Sequence, residues 1–208
     1  MNVEIKPFVE NAIAHGEHEK DGSFHIGGPD WARSHLVAFN RSIDALVYEY
    51  GKEPIGKAIW YLYGCVGDYA RDAIETAPAS ECMEFYQSLE TLYDEGFAKH
   101  CVDACGHSDR DGNRFGTACY MLWDMNGGLE YLTFNSRAEL FSHGKELVEF
   151  GLQHNHAAVQ ESFLHLLGHL TNDRPDYATE CIDRFLQRID VALDIQDYAR
   201  SCRTGLIP

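Results

Sequence analysis

The chain has 208 residues, 33 acidic against 17 basic side chains, a formal net charge of -16 and 45% hydrophobic residues. A chain of this length buries about 70% of the surface its unfolded form exposes, so one core needs neither disulfide nor metal to hold it. The negative balance repels phosphate backbones and anionic lipid, which argues against nucleic acid and membrane surface as partners.

Residues Met1 to Ala14 include Glu4, Lys6 and Glu10 and no apolar stretch of leader length, so no secretory leader is expected. The polar segment at residues 15–30, with three histidines and four glycines, reads as a loop. From Leu36, the positions Phe39, Ile43, Leu46, Val47 and Tyr50 fall on one helical face until Gly51 supplies a stop. Pro54 opens a helix with the stripe Ile55, Ile59, Leu62, Tyr63 and Val66, and a short helix over Asp68 to Ala77 follows. The longest nearly apolar run, Ala58 to Val66, is about half a membrane span. Ser80 is the expected N-cap of a third long helix carrying Phe85, Leu89, Leu92, Tyr93 and Phe97.

After a polar loop over Gly106 to Asn113, the stripe Phe115, Cys119, Leu122 and Trp123 runs to Asn126. Leu129 to Phe134 is strand-like but too isolated to make a sheet. Ser136 and Glu139 have capping-box spacing ahead of a helix through Leu140, Phe141, Leu147, Val148 and Gly151. Asn155 is the expected cap of a helix with Val159, Phe163, Leu166, Leu167 and Leu170. Pro175 opens another with Ala178, Cys181, Ile182, Phe185, Leu186 and Ile189, and a last helical stretch reaches about Ser201. Seven cysteines, an odd number scattered along the chain, read as reduced thiols in a cytoplasmic protein rather than as a disulfide framework.

Three stripes share one spacing. Val159, Phe163, Leu166 and Leu167 superpose on Phe115, Cys119, Leu122 and Trp123 with a shift of 44 residues, and Ile55, Ile59, Leu62 and Tyr63 lie a further 60 upstream. The first shift falls in the period of helical-pair repeats. The stretch Leu147 to Leu170, LVEFGLQHNHAAVQESFLHLLGHL, resembles a HEAT repeat: an apolar helix end, a short polar turn, then a helix with an early valine and a Leu-Gly pair near its end. Asn155 and Gln160 stand where that family usually has aspartate and arginine, so its Asp-Arg ladder is missing. The resemblance implies a short α-solenoid whose second helices line a concave, partner-holding surface.

Five candidate sites emerge. Glu161, His165 and His169 are spaced i, i+4, i+8 on the helix over 155–170, where two histidines four apart can chelate a divalent ion and the carboxylate can add a third ligand. His100, Cys101, Cys105 and His107 are four soft ligands without the second pair a structural zinc wants. Asp109 to Asn113 has calcium-loop oxygens, yet Arg114 and Tyr120 occupy the positions of the required glycine and glutamate. The amino-terminal polar loop is the fourth, and the aromatics Trp60, Tyr61, Tyr63, Tyr120 and Trp123 are the fifth. No hydrolase elbow, phosphate-binding loop or kinase set is present.

The expectation from sequence is a single all-α domain over residues 1–208, stacked as a short HEAT-like α-solenoid, with a compact helical bundle as the alternative. Its expected role is a non-enzymatic scaffold binding a basic or polar protein or peptide on a concave acidic face through Glu161, His165, His169, Tyr120 and Trp60, with homodimerisation open. No catalytic residue, metal ligand or cofactor is assigned. The competing reading is a metal-dependent enzyme or metal sensor built on the His/Glu cluster.

Overall fold

In a computed structural model of the chain, residues 4–17, 27–64, 69–106, 112–125 and 128–207 are described, and every regular element among them is helical. The helices are α1 (Ile5–Glu17), α2 (Pro29–Arg41), α3 (Ile43–Tyr50), α4 (Lys52–Tyr63), α5 (Tyr69–Glu75), α6 (Ala79–Thr91), α7 (Ala98–His100), α8 (Arg114–Met121), α9 (Gly128–Glu130), α10 (Phe141–Gln153), α11 (Ala157–Asp173), α12 (Pro175–Leu186) and α13 (Leu193–Arg203). Two π-helical turns, Leu92–Phe97 after α6 and Tyr131–Ser136 after α9, and a 3-10 turn, Ala138–Leu140, complete the set. No helix among the described residues is long and apolar enough to cross a membrane.

The apolar stripes read from sequence are core, except at Ile189, which lies beyond the end of α12 and is 99% exposed. Ile55, Ile59, Leu62, Phe115, Val159, Phe163, Leu166 and Leu167 are buried, in one continuous cluster that runs from α1 to α13. At the centre lies α11, which buries Val159, Phe163, Leu166 and Leu170 on one side and Glu161, Leu164, His165 and Gly168 on others. A helix covered on every side belongs in the interior. It packs on α8, α10, α12 and α13, while α4 bridges α1 and α8, and α6 bridges α2 and α10.

Two glycines permit the tightest crossings. A Cβ on Gly56 of α4 would lie 2.3 Å from the Phe115 amide nitrogen, and one on Gly151 of α10 would lie 1.9 Å from Phe163 Cδ2. Several buried polar groups inside the cluster are paired across helices: Asn40 Nδ2 donates to Ser88 Oγ at 2.9 Å, the Tyr63 hydroxyl donates to Asn40 Oδ1 at 2.8 Å, and Tyr93 and Ser162 share a hydroxyl bond at 2.9 Å. Such pairing offsets the cost of taking these groups from water.

Several local expectations are corrected. The helix expected from Leu36 to Tyr50 is interrupted at Ser42, while Gly51, at φ 88°, ends α3 as anticipated. The strand-like run Leu129 to Phe134 is helical, because it has no neighbouring strand to pair with and the Thr133 hydroxyl donates back to the Leu129 carbonyl at 2.6 Å. Pro78, not Ser80, precedes α6. The Ser136–Glu139 capping box does not form, since Arg137 takes the Glu139 carboxylate at 2.6 Å. The start of α11 is capped from outside its own segment: the Ala157 amide donates to Asp103 Oδ1 at 2.7 Å, and Asn155 makes no cap. Of the polar loop over 15–30, residues 18–26 lie outside the described residues, as do residues 107–111 of the zinc and calcium candidates.

Candidate metal centre

The helix α8 begins where Asn113 Oδ1 accepts the amides of Phe115 and Gly116, both at 3.0 Å, the pattern of an N-cap. It then lies along α11. Ser162 Oγ donates to the Cys119 carbonyl at 2.6 Å, and the Trp123 and Phe163 rings meet edge to face at 5.9 Å. That register carries Tyr120 onto His165, with ring centroids 4.2 Å apart, and carries Asp124, in the turn that closes α8, to the level of His165 and His169.

The result is a convergence of three ligand types. His165 Nε2 and His169 Nε2 are 3.0 Å apart, Asp124 Oδ2 is 3.9 Å from His165 Nε2, and Asp124 Oδ1 is 3.8 Å from His169 Nε2. One ligand atom from each residue lies within 4.8 Å of the others. These separations suit an ion placed about 2.0 to 2.2 Å from each donor. The His165 side chain is 5% exposed, whereas those of His169 and Asp124 are 32% and 37% exposed, so the cluster is deep on one side and reachable from the other.

Electrostatics follow from this placement. The His165 imidazole, with His169 beside it, holds the Asp124 carboxyl below its ordinary value. Burial, reinforced by His165, lowers His169, which keeps that imidazole neutral and available as a ligand. Behind the pair, Tyr198 of α13 places its hydroxyl 3.2 Å from His165 Nδ1 and 3.1 Å from the Tyr120 hydroxyl. Burial pushes the Tyr120 hydroxyl up to about 12 and Tyr198 higher still, so both stay protonated. If His165 Nδ1–H donates to Tyr198 and Tyr198 to Tyr120, the His165 Nε2 lone pair is left facing the cluster. Burial, reinforced by Asp124 and Asp173, raises the Glu130 carboxyl to about 7.

Of the five residues expected at a partner surface, the structure brings His165 and His169 together as ligands, with the Tyr120 ring packed against His165. Glu161 is 3% exposed and is not one of the converging ligands: it accepts the Gly106 amide at 3.1 Å and the Cys105 thiol at 3.2 Å. Tyr120 and His165 are also buried, so they are not available as surface anchors. Trp60 is half-buried against α8, with the Arg114 guanidinium 5.8 Å from its ring. His100 pairs with Asp44 at 2.8 Å, apart from Cys105 on Glu161, so these two do not share a zinc site. Sequence reasoning missed Asp124, Tyr198 and Glu130. The one available signal was Asp124 standing four residues after Tyr120 on the same helical face. Comparison with family models, curated proteins and solved structures finds no match for this chain.

Proposed function

We propose that this chain binds a divalent transition metal through Asp124, His165 and His169. The observation that carries the reading is the convergence of two Nε2 atoms 3.0 Å apart on one carboxylate, with one histidine buried and the other two groups half-open. Two imidazoles and a carboxylate are a donor set for iron, zinc or their neighbours that leaves coordination positions for water or substrate. That favours a metal-dependent enzyme or metal sensor over a purely structural site, which would close its fourth position. The chain's helices are read as a compact bundle around α11, supported by α11 being covered on all sides, in preference to the open HEAT-like stack.

The scaffold reading retains the net charge of -16, which would attract a basic segment and weaken with salt. Burial of Glu161, His165 and Tyr120 removes its central anchors.

Titration of chelator-treated protein with cobalt(II), followed by absorption and calorimetry, tests the proposal. One equivalent should bind, and Asp124→Asn, His165→Ala or His169→Ala should each weaken it by about tenfold or more. Absence of stoichiometric binding, or binding indifferent to all three changes, refutes it.

A further inference from the structure

A second site lies among α1, α2, α4 and α5, and none of its lining residues belongs to the metal centre. There the helices leave a cavity of about 170 Å³. Four rings make a continuous wall: Phe8 meets Trp31 at 5.6 Å and 80°, Phe8 meets Tyr69 at 5.8 Å and 88°, and Tyr61 meets Tyr69 at 5.8 Å and 56°. His35 lies over Trp31 at 3.9 Å and is fixed by a 2.8 Å bond between its Nδ1 and the Trp31 carbonyl. Glu4, which is exposed, stands at the edge of the lining.

Two polar atoms on this wall are unexplained by the fold. Asn11 Oδ1 and the Tyr61 hydroxyl, on a residue 4% exposed, are both buried without a hydrogen bond of good geometry, and the group interacting with the Tyr61 hydroxyl is the Tyr69 hydroxyl on the same wall. A native structure seldom leaves such groups unpaired, because each costs about 1 to 3 kcal/mol. Both can accept a hydrogen bond. Aromatic faces carry negative potential, and a cation over them is held by about 0.5 to 2 kcal/mol. Glu4 and the net charge of -16 add attraction for a cation and repulsion for an anion.

We propose that this cavity binds a small protonated alkylamine, its hydrocarbon part against Phe8, Trp31 and Tyr69 and its ammonium group donating to Asn11 Oδ1 and the Tyr61 hydroxyl. A neutral hydrocarbon of the same shape fits the rings but leaves both oxygens unpaired. A carboxylate meets negative ring faces and the charge of Glu4, which oppose it even where a tyrosine O–H could donate. A cavity of about 150 Å³ admits benzene, which limits the ligand here to about seven non-hydrogen atoms.

The test is calorimetric titration of the full chain with three ligands of one shape: cyclohexylammonium, cyclohexanol and cyclohexanecarboxylate. The ammonium ion is expected to bind at least about tenfold more tightly than the alcohol, with no carboxylate binding detected. Tyr61→Phe and Asn11→Leu, checked for an unchanged helical spectrum, should each weaken the ammonium ion by about tenfold and the alcohol, whose bond to the same oxygen is neutral, by less. Equal or tighter alcohol binding, no binding of any ligand at millimolar concentration, or indifference of the ammonium ion to both changes overturns the assignment. Should either variant misfold, the comparison of the three ligands on the parent decides alone. Cobalt binding at Asp124, His165 and His169 should survive both variants, which keeps this site's failure separate from that of the metal centre.

Discussion

At the scale of single residues, Glu130 and Tyr198 carry the sharpest consequences. Glu130 is 9% exposed, and its carboxyl is raised from 4.5 to about 7, first by burial and then by Asp124 and Asp173. Between those values the folded chain holds a proton that the unfolded chain has released. Stability contributed by the neutral acid is therefore complete below about pH 4.5 and is lost as pH rises towards 7. The size is on the order of 2 kcal/mol after allowance for solvent near the group. Denaturant titrations in chelator should show the parent losing stability from pH 5 to 8 and Glu130→Gln losing much less. Identical pH slopes would remove Glu130 from the account. Tyr198→Phe takes away the hydroxyl that fixes His165 Nδ1, and losing a group that orients a ligand in this way weakens metal binding about 10- to 100-fold. Cobalt titration should register that drop with the helical spectrum unchanged, whereas parent-like affinity would show that Tyr198 does not orient the ligand.

At the scale of elements, backbone approach sets what each helix tolerates. A Cβ added at Gly56 would stand 2.4 and 2.3 Å from the backbone of Arg114 and Phe115, atoms that no rotamer change can move, so Gly56→Ala must separate α4 from α8. Overpacking of this kind costs typically 1 to 3 kcal/mol, and about 3 kcal/mol is expected here. Phe163→Ala acts in the opposite sense, emptying a wholly buried ring site between α10 and α11 at about 3 to 5 kcal/mol. Thermal or chemical unfolding of the two variants checks both figures, and a Gly56→Ala protein as stable as the parent would contradict the close crossing. Core stripes such as Val159, Phe163, Leu166 and Leu167 were legible in sequence because burial on one face imposes a period of 3.6. The cluster was half legible. His165 and His169 share a helix, and their spacing shows; Asp124 belongs to another helix, and only the packing of α8 on α11 brings it near. Glu161 had the right spacing for a ligand, yet its carboxylate is taken by Gly106 and Cys105 from a distant segment, which no local pattern encodes.

At the scale of the molecule, the excess of acidic groups acts on folding and metal binding alike, and the two effects can be separated. The exposed ion pairs, such as Arg41 with Glu84 at 2.7 Å and Arg203 with Asp183 at 2.5 Å, contribute little in water and weaken in salt. Against them stands the mutual repulsion of a net charge of -16, which favours the expanded chain and is screened over about 10 Å at 0.1 M salt. The excess outweighs the local pairs, so raising sodium chloride from low to moderate concentration should raise Tm. Metal at the proposed cluster would act by a different route, since it would bind the folded chain alone. At a free concentration of 100 times Kd it adds about 2.7 kcal/mol, which corresponds to about 5 to 10 °C for a chain of this size. The wholly buried apolar core around α11 predicts that chelator-treated protein stays folded. Replacing His165 and His169 together by alanine should abolish the metal-induced rise while preserving the salt-induced one. If the double variant keeps a metal-induced rise equal to that of the parent, the added ion is neutralising surface carboxylates, and the cluster of Asp124, His165 and His169 is not where it binds.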